Sequence, residues 1–160
     1  MDRRVRRAAR SAPAADPDPA DPPADRGGPL NRPSVTVRRA TPEDAPAIAR
    51  IEAVASPGPW SEAAVRSTLA ARSTVGWVAA GPTGDGVGEE PVVGHLLASC
   101  VAPEGEILTV AVHPDARRRG YGAALLAACA QAWREAGVTE GWLEVRRDND
   151  GARALYAGCG

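Results

Sequence analysis

Several absences narrow what this sequence can be. It contains no lysine and no phenylalanine, so all 19 of its basic residues are arginines. The phosphate-binding loop of nucleotide hydrolases requires a lysine, so that loop is excluded. No apolar run approaches the roughly 18 residues that a membrane-spanning helix needs. A net charge of -1 gives no global attraction to nucleic acid or to a membrane surface, and we expect neither as a partner.

Cysteine and histidine are also scarce. The three cysteines, Cys100, Cys129 and Cys159, are far apart and match no zinc or Cys-x-x-Cys pattern. We interpret Cys100 and Cys129 as small buried hydrophobic residues. His95 and His113 lack the spacing of metal ligands, so we predict no metal site and interpret both as structural or solvated. An odd number of cysteines without a secretory signal indicates a reducing compartment, and we expect a cytoplasmic protein.

The first 33 residues differ in composition from the rest. They are rich in Pro, Ala, Asp and Arg, and such a segment cannot bury enough apolar surface to offset the entropy of ordering. We predict a disordered tail over residues 1–33 and one domain over residues 34–160. The five arginines among the first ten residues suit a solvated tail, with attraction to RNA as the alternative.

The remaining residues predict an α+β domain. Alternating or continuous apolar runs indicate strands, and apolar residues at helical spacing behind capping residues such as Thr41 and Ser61 indicate helices. The predicted order is β-α-α-β-β-β-α-β-α, over residues 34–39, 42–54, 61–72, 75–79, 92–101, 106–112, 123–137, 138–145 and 149–156. We expect a mixed, mostly antiparallel sheet flanked by helices, with one parallel β-α-β crossover.

The segment Arg117–Gly122 (RRRGYG) joins an apolar strand to a helix. Glycines at a helix start let the backbone approach a ligand, and the unpaired N–H groups there attract anions. The neighbouring arginines add charge-assisted hydrogen bonds. The segment predicts a site for a phosphorylated ligand. The alternative is a tight turn that the glycines make possible, with arginines that only face solvent.

The longer stretch EILTVAVHPDARRRGYGAALL resembles the acetyl-CoA motif of the GNAT superfamily, R/Q-x-x-G-x-G/A, with Arg117, Gly120 and Gly122 at its defined positions. IEAVASPGPWSE at residues 51–62 and WLEVRRDNDGARALYAGCG at residues 142–160 extend the similarity to the RimI-type ribosomal-protein alanine N-acetyltransferases. The resemblance implies the GNAT acyl-CoA N-acyltransferase fold, acetyl-CoA as co-substrate, and the N-terminal alanine of a small-subunit ribosomal protein as acceptor.

The resemblance also implies roles for individual residues. Glu144 is the expected general base, and Tyr156 the expected general acid toward the leaving thiolate. The residues expected to bind the cofactor lie on the strand, in the loop after it and near the thiol: Val110, Ala111, Val112, Arg117, Arg118, Arg119, Gly120, Tyr121, Gly122, Ala123 and Asn149.

The residue types suit these roles. A peptide α-amine has a pKa of about 7.7–8.0, so near neutrality a base must remove its proton. Glu144 lies between two apolar residues at a strand end, where desolvation would tune it as a base. The simpler alternatives are a solvent-facing strand carboxylate for Glu144, a core aromatic for Tyr156 and a helix N-cap for Asn149.

The loop that carries Trp60 borders the peptide site in the resembled family. Trp60 is therefore either a loop anchor or a substrate contact. Glu52 and Glu62 are interpreted as helix-surface charges, with binding of a cationic amine as the alternative.

RimI-type enzymes continue from the position of Gly160 with a Phe and two further strands. We therefore expect an incomplete domain whose last strand is an exposed sheet edge. Two other functions stay open: a GNAT enzyme that acts on a small amine or on lysine, and a non-catalytic module that binds acetyl-CoA.

Overall fold

The computed structural model describes residues 4–10, 35–81 and 91–146, and these form one sheet with helices on both faces. The strands are Arg4–Arg10 (β1), Thr36–Arg39 (β2), Thr74–Ala80 (β3), Val92–Val101 (β4), Glu104–Val112 (β5) and Glu140–Arg146 (β6). The helices are Ala45–Ala55 (α1), Glu62–Ala70 (α2) and Tyr121–Glu135 (α3). The strand order is β1-β6-β5-β4-β3-β2. All neighbours are antiparallel except β5 and β6, so the predicted mixed sheet with one parallel crossover is confirmed.

Local signals mark two helix boundaries close to the predicted positions. The Ser61 hydroxyl accepts a hydrogen bond from the Ala64 amide (3.2 Å) and so caps the start of α2. Gly137 follows α3 with a φ of 78°, a left-handed conformation that glycine adopts without steric cost. These two boundaries depend only on residues close in sequence.

Asp44 fastens the start of α1 to strand β2. Its carboxylate accepts two hydrogen bonds from the Arg38 guanidinium, both 2.8 Å long, and one from the Thr41 amide (2.9 Å). The Arg38 hydrogen bonds are the main reason why the pKa of Asp44 lies below its ordinary value of 3.8. The predicted Thr41 start is thus confirmed, with a short 3-10 turn, Pro42–Asp44, ahead of α1.

Two apolar layers cover the two faces of the sheet. We call them the α3 face and the α1 face after the helix that packs on each. Strand alternation divides the buried residues of β3 and β4 between them. The α3 face buries Trp77, Ala79, Leu96 and Ala98 with Leu125, Leu126 and Cys129 of α3. The α1 face buries Val78 and Leu97 with Ala45, Ile48 and Val65.

The apolar stripe of α3 is not buried along its whole length. Leu125, Leu126 and Cys129 are buried, whereas Trp133 is half-buried. Burial raises the pKa of the Cys129 thiol to about 12, so this side chain behaves as a small apolar residue. Cys100 is half-buried rather than buried, and Cys159 lies outside the described residues.

Trp133 anchors the parallel crossover. A Cβ atom at Gly105 would lie 2.5 Å from the Trp133 ring, and one at Gly141 would lie 2.7 Å from it. The ring therefore packs directly on the backbone where β5 and β6 begin, a contact that only glycine allows. The indole N–H donates to the Ser99 carbonyl (3.0 Å), which satisfies its polar atom.

The outer edge of β6 is not open, contrary to the prediction. Residues Arg4–Arg10 form β1 and pair with β6 in antiparallel register over seven positions, from Arg4 opposite Arg146 to Arg10 opposite Glu140. Disorder over residues 1–33 is therefore wrong for this segment, and the expected open edge of β6 is covered. A strand edge offers unpaired N–H and C=O groups, and a nearby extended segment satisfies them. The rest of the predicted tail, residues 11–33, lies outside the described residues, as does the predicted helix over residues 149–156.

No helix in the described ranges is both long and apolar enough to cross a bilayer. In the same ranges, no group of three or more His, Cys, Asp or Glu side chains is placed to hold a metal ion.

The Asp44 contacts predict an acid-dependent loss of stability. We expect Asp44→Asn to lower the free energy of unfolding near neutral pH by about 1–2 kcal/mol, because it weakens hydrogen bonds to a charged partner that is half exposed. The folded-state pKa is depressed, so the contribution is present above the unfolded value of 3.8 and is lost as pH falls through the folded value. Urea unfolding at several pH values measures it. A wild-type advantage that does not shrink in acid would contradict this account.

The β1 pairing predicts that the first ten residues stabilise the domain. We expect their deletion to lower the melting temperature by about 2–4 °C, the shift that 1 kcal/mol produces in a chain of this size. It should also promote self-association through the uncovered edge of β6. Thermal melts and light scattering of the full chain and the truncated chain test this, and identical melting curves would show that β1 contributes nothing.

Candidate active site

The centre of the site is the place where β5 and β6 separate. Their parallel pairing covers four positions, from Glu104 opposite Glu140 to Ile107 opposite Leu143. At the same point the β4–β5 register shifts, because Leu97 pairs with Thr109 and Ala98 with Ile107. Leu108 is therefore an extra residue, a β-bulge, and bulges re-aim strands beside functional sites.

Beyond the bulge, β5 keeps only one strand neighbour among the described residues. Thr109–Val112 remains bonded to β4, while no β6 residue pairs with it. The edge of β5 that faces β6 therefore presents backbone N–H and C=O groups to a gap. Such groups need a partner when they are removed from water, and an extended ligand with amide groups can supply one.

The predicted residues Val110, Ala111 and Val112 lie on this edge. Val110 and Val112 pack against the α3 face, and all three are half-buried. Ala111 pairs with His95 of β4. The side chains of Val110 and Val112 are committed to packing, so these two residues can offer their backbone to a ligand. The backbone groups of Ala111 point to β4 instead, because successive strand residues alternate between the two edges and His113 N–H also bonds to β4.

The arginine loop follows β5 directly. A short 3-10 turn, Pro114–Ala116, leads into it, and Arg117 Nε donates to the Val112 carbonyl (3.2 Å). Arg118 has a φ of 63°, which is unusual for a residue with a side chain and is a form of backbone strain found at functional sites. Gly120 precedes α3 with a φ of 90°. The loop thus turns sharply from the end of β5 into the helix.

The loop and the helix start form a cationic surface. Arg117, Arg118 and Arg119 are exposed, and no carboxylate within residues 35–81 and 91–146 forms an ion pair with them. The first N–H groups of a helix have no partner within the helix and carry partial positive charge. Anionic groups of a ligand would meet both features here.

The first residues of α3 are placed differently from one another. Gly122 is half-buried and Ala123 is exposed, so their backbone is accessible. Tyr121 is only 2% exposed, and its ring belongs to the apolar layer on the α3 face. The prediction of a cofactor contact at Tyr121 is therefore limited to its backbone.

Glu144 lies on β6 one position past the last parallel pair. Gly141 lies under Trp133 on the α3 face, so strand alternation places Glu144 on the α1 face. Its side chain is exposed, contrary to the expected desolvation. In the β1 register its backbone neighbour is Arg6. Asn149 and Tyr156 lie outside the described residues, so their roles stay predictions.

A buried polar cluster lies behind the gap on the α1 face. Glu52 of α1 is 1% exposed and His95 of β4 is fully buried. One carboxylate oxygen, Oε1, accepts from Thr109 Oγ1 (2.6 Å) and lies 2.9 Å from His95 Nε2. The other, Oε2, accepts from the Trp60 amide (3.4 Å). Burial acts to raise the pKa of Glu52, but these hydrogen bonds together bring it below its ordinary value of 4.5.

The interpretation of Glu52 as a surface charge is therefore wrong, whereas His95 is structural as expected. A signal for both was present in the sequence. Glu52 follows Ile48 at helical spacing on the buried stripe of α1, and His95 interrupts the apolar strand VVGHLLASC. Glu62 does lie on the helix surface, where it binds Arg66 (3.0 Å).

Comparison with known proteins agrees with this geometry. Residues 45–160 match the acetyltransferase (GNAT) family. The chain is 33% identical over 117 residues to the [ribosomal protein bS18]-alanine N-acetyltransferase of Escherichia coli strain K12, which covers 73% of this chain and 74% of that protein. The corresponding enzyme of Salmonella typhimurium is 32% identical over the same length.

Solved structures give the same relationship. The ribosomal-protein-S18-alanine N-acetyltransferase from Escherichia coli superposes with a TM-score of 0.68 at 31% identity, covering 79% of this chain and 77% of that one. Ard1 from Thermoplasma volcanium superposes with a TM-score of 0.67 at 30% identity, covering 79% and 81%. With the separated parallel strands and the arginine loop already described, these matches show that the chain belongs to the acetyltransferase (GNAT) family and is an N-acetyltransferase.

Proposed function

We propose that this protein transfers the acetyl group of acetyl-CoA to the α-amine of an N-terminal alanine on a small-subunit ribosomal protein. The observation that carries the proposal is the gap between β5 and β6, which opens beside the arginine loop. The choice of acceptor is supported by the identity to bS18-alanine N-acetyltransferases. Such an acceptor implies a cytoplasmic reaction.

The binding of acetyl-CoA uses the two surfaces that flank the gap. The pantetheine arm is extended and contains amides, so it can pair with the open backbone edge at Val110–Val112 as an added strand would. The pyrophosphate lies at the helix start, where Arg117–Arg119 and the backbone of Gly120–Ala123 provide cationic and N–H donors. Asn149 is assigned to the thiol end of the cofactor. This arrangement leads the thioester into the gap on the side of Glu144.

The chemical step is a direct transfer. Glu144 accepts a proton from the α-ammonium, and the free amine attacks the thioester carbonyl carbon. The C–N bond forms, the C–S bond breaks, and the sulfur leaves with the electron pair of that bond. Tyr156 donates its hydroxyl proton to the sulfur, and the phenolate left behind takes up the excess proton of the attacking nitrogen. The products are an N-acetylated alanine and CoA, and Glu144 releases its proton to solvent. The acetyl group and the acceptor together exclude water from Glu144, which is exposed without them.

The acceptor is tested by mass spectrometry. The full chain is incubated with acetyl-CoA and a peptide that begins with alanine and contains one internal lysine. We expect a single acetyl group on the alanine α-amine, located by fragmentation. Acetylation of the lysine would replace the proposal with a lysine acetyltransferase. Acetyl-CoA binding in a calorimeter without any transfer would indicate a non-catalytic binding module.

Gly122 tests the cofactor site. We expect Gly122→Val to raise the Kd for acetyl-CoA by at least about 100-fold. The reason is that a branched side chain blocks two or more charge-assisted hydrogen bonds at the helix start. Gly58→Val is the matched control, since a Cβ atom at this exposed loop position meets nothing within 4 Å. Calorimetry measures affinity, and circular dichroism verifies the fold of both variants. Unchanged affinity in Gly122→Val would move the pyrophosphate away from this loop.

Glu144 and Tyr156 should respond differently to pH. We expect each of Glu144→Gln and Tyr156→Phe to lower turnover near neutrality by about 10²–10⁴-fold, the usual effect of losing a positioned acid or base. The loss in Glu144→Gln should shrink well above pH 8, where the amine is already deprotonated. The loss in Tyr156→Phe should persist, because its proton serves the leaving group. Turnover at saturating acetyl-CoA across pH measures both. Parallel pH profiles for Glu144→Gln and the wild type would assign the proton transfer to another group.

A further inference from the structure

The Glu52 carboxylate links three parts of the molecule. It belongs to the last turns of α1, and its oxygen Oε1 is bound to the sheet through His95 of β4 and Thr109 of β5. Its oxygen Oε2 accepts from the Trp60 amide in the loop that follows α1. A single buried side chain therefore joins the loop 56–61 to the strand that borders the gap.

Stability alone does not account for this cluster. Removing a carboxylate from water is costly, and buried ionic groups are often replaced by apolar residues without loss of stability. The cluster is also incompletely satisfied, since His95 Nδ1 has no hydrogen-bond partner among the described residues. What the cluster provides is directional geometry, because each hydrogen bond defines the position of one element relative to another.

The elements that it links are those that must meet in the reaction. Thr109 is the first residue past the Leu108 bulge and directly precedes the cofactor edge at Val110. Trp60 is half-buried against the apolar layer of the α1 face, the face on which Glu144 also lies. The Trp60 amide and the Thr109 hydroxyl bind the same carboxylate, so the loop 56–61 lies next to β5 on this face.

We infer that Glu52 is a positioning residue for the acceptor site. It holds the loop that carries Trp60 at a defined distance from β5, the strand proposed to bind the cofactor. This role rests on the proposed function. Glu52 is not a catalytic residue, because its two oxygens are occupied by three protein groups and its side chain does not reach solvent. It acts on the acceptor through the loop, and on the thioester through Thr109.

Glu52→Gln tests the link with the least change in volume. The amide oxygen can still accept from Thr109 and His95, whereas the NH₂ group places a donor opposite the Trp60 N–H. We expect the KM for the alanine-starting peptide to rise about tenfold, the effect of losing one hydrogen bond to a charged group. The KM for acetyl-CoA and kcat should change less than about twofold, a difference equivalent to only a fraction of one hydrogen bond.

Two further variants separate positioning from stability. Ile48→Val lies on the same helix and in the same apolar layer, so it loosens the core without touching the cluster. It should lower the melting temperature and leave the peptide KM unchanged. Thr109→Val keeps the side-chain shape and removes one bond to Glu52. We expect Thr109→Val to raise the peptide KM by a smaller factor than Glu52→Gln does. If Glu52→Gln does not fold, Thr109→Val serves as the test.

Hydrogen exchange of the Trp60 amide provides a measure that needs no acceptor. We expect slow exchange in the wild type and in Ile48→Val, and faster exchange in Glu52→Gln. Absence of peptide acetylation by the wild type would overturn the proposed function, whatever the exchange shows. A Trp60 amide that exchanges equally in wild type and Glu52→Gln, or a peptide KM that is unchanged in Glu52→Gln, would overturn the positioning role.

Discussion

The separation of β5 from β6 is the constraint on which the rest of the structure depends. Parallel strands that stayed paired would satisfy each other's backbone groups and leave nothing for a ligand. Here the extra residue Leu108 bends β5 where its pairing with β6 ends, after Ile107. The open edge, the arginine loop that continues from it and the start of α3 then form one continuous surface. Trp133, packed on Gly105 and Gly141, holds the paired ends of the two strands together.

The two faces of the sheet serve this opening in different ways. The α3 face is apolar next to β5, and through Val110 and Val112 it supports the strand from behind. The α1 face carries the Glu52 cluster, in which polar groups are buried at a cost and matched almost completely. An apolar layer defines how closely elements approach but tolerates sliding. Directional bonds remove that freedom where the loop 56–61 meets the sheet.

The edge of β6 shows how local composition and sheet topology can conflict. Residues 4–10 are rich in arginine and small residues, and nothing in their pattern favours a buried strand. An unpaired edge beside the gap nevertheless offers seven positions for backbone pairing, and backbone groups pair regardless of side-chain type. The recruited strand also places Arg6 in register with Glu144, so the N-terminal segment lies beside the site.

The sequence by itself determined the features that depend on neighbouring residues. These include the Ser61 cap, the left-handed Gly137, the apolar strand β5 and the glycine-arginine loop, each of which follows from local backbone chemistry. Only the tertiary structure decided where β6 leaves β5, that Glu144 is exposed, and that residues 4–10 form a strand. It also decided the burial of Glu52, whose partners His95 and Thr109 lie 43 and 57 residues away in the chain. Local propensities carry no information about such distant pairs, because packing between elements selects them.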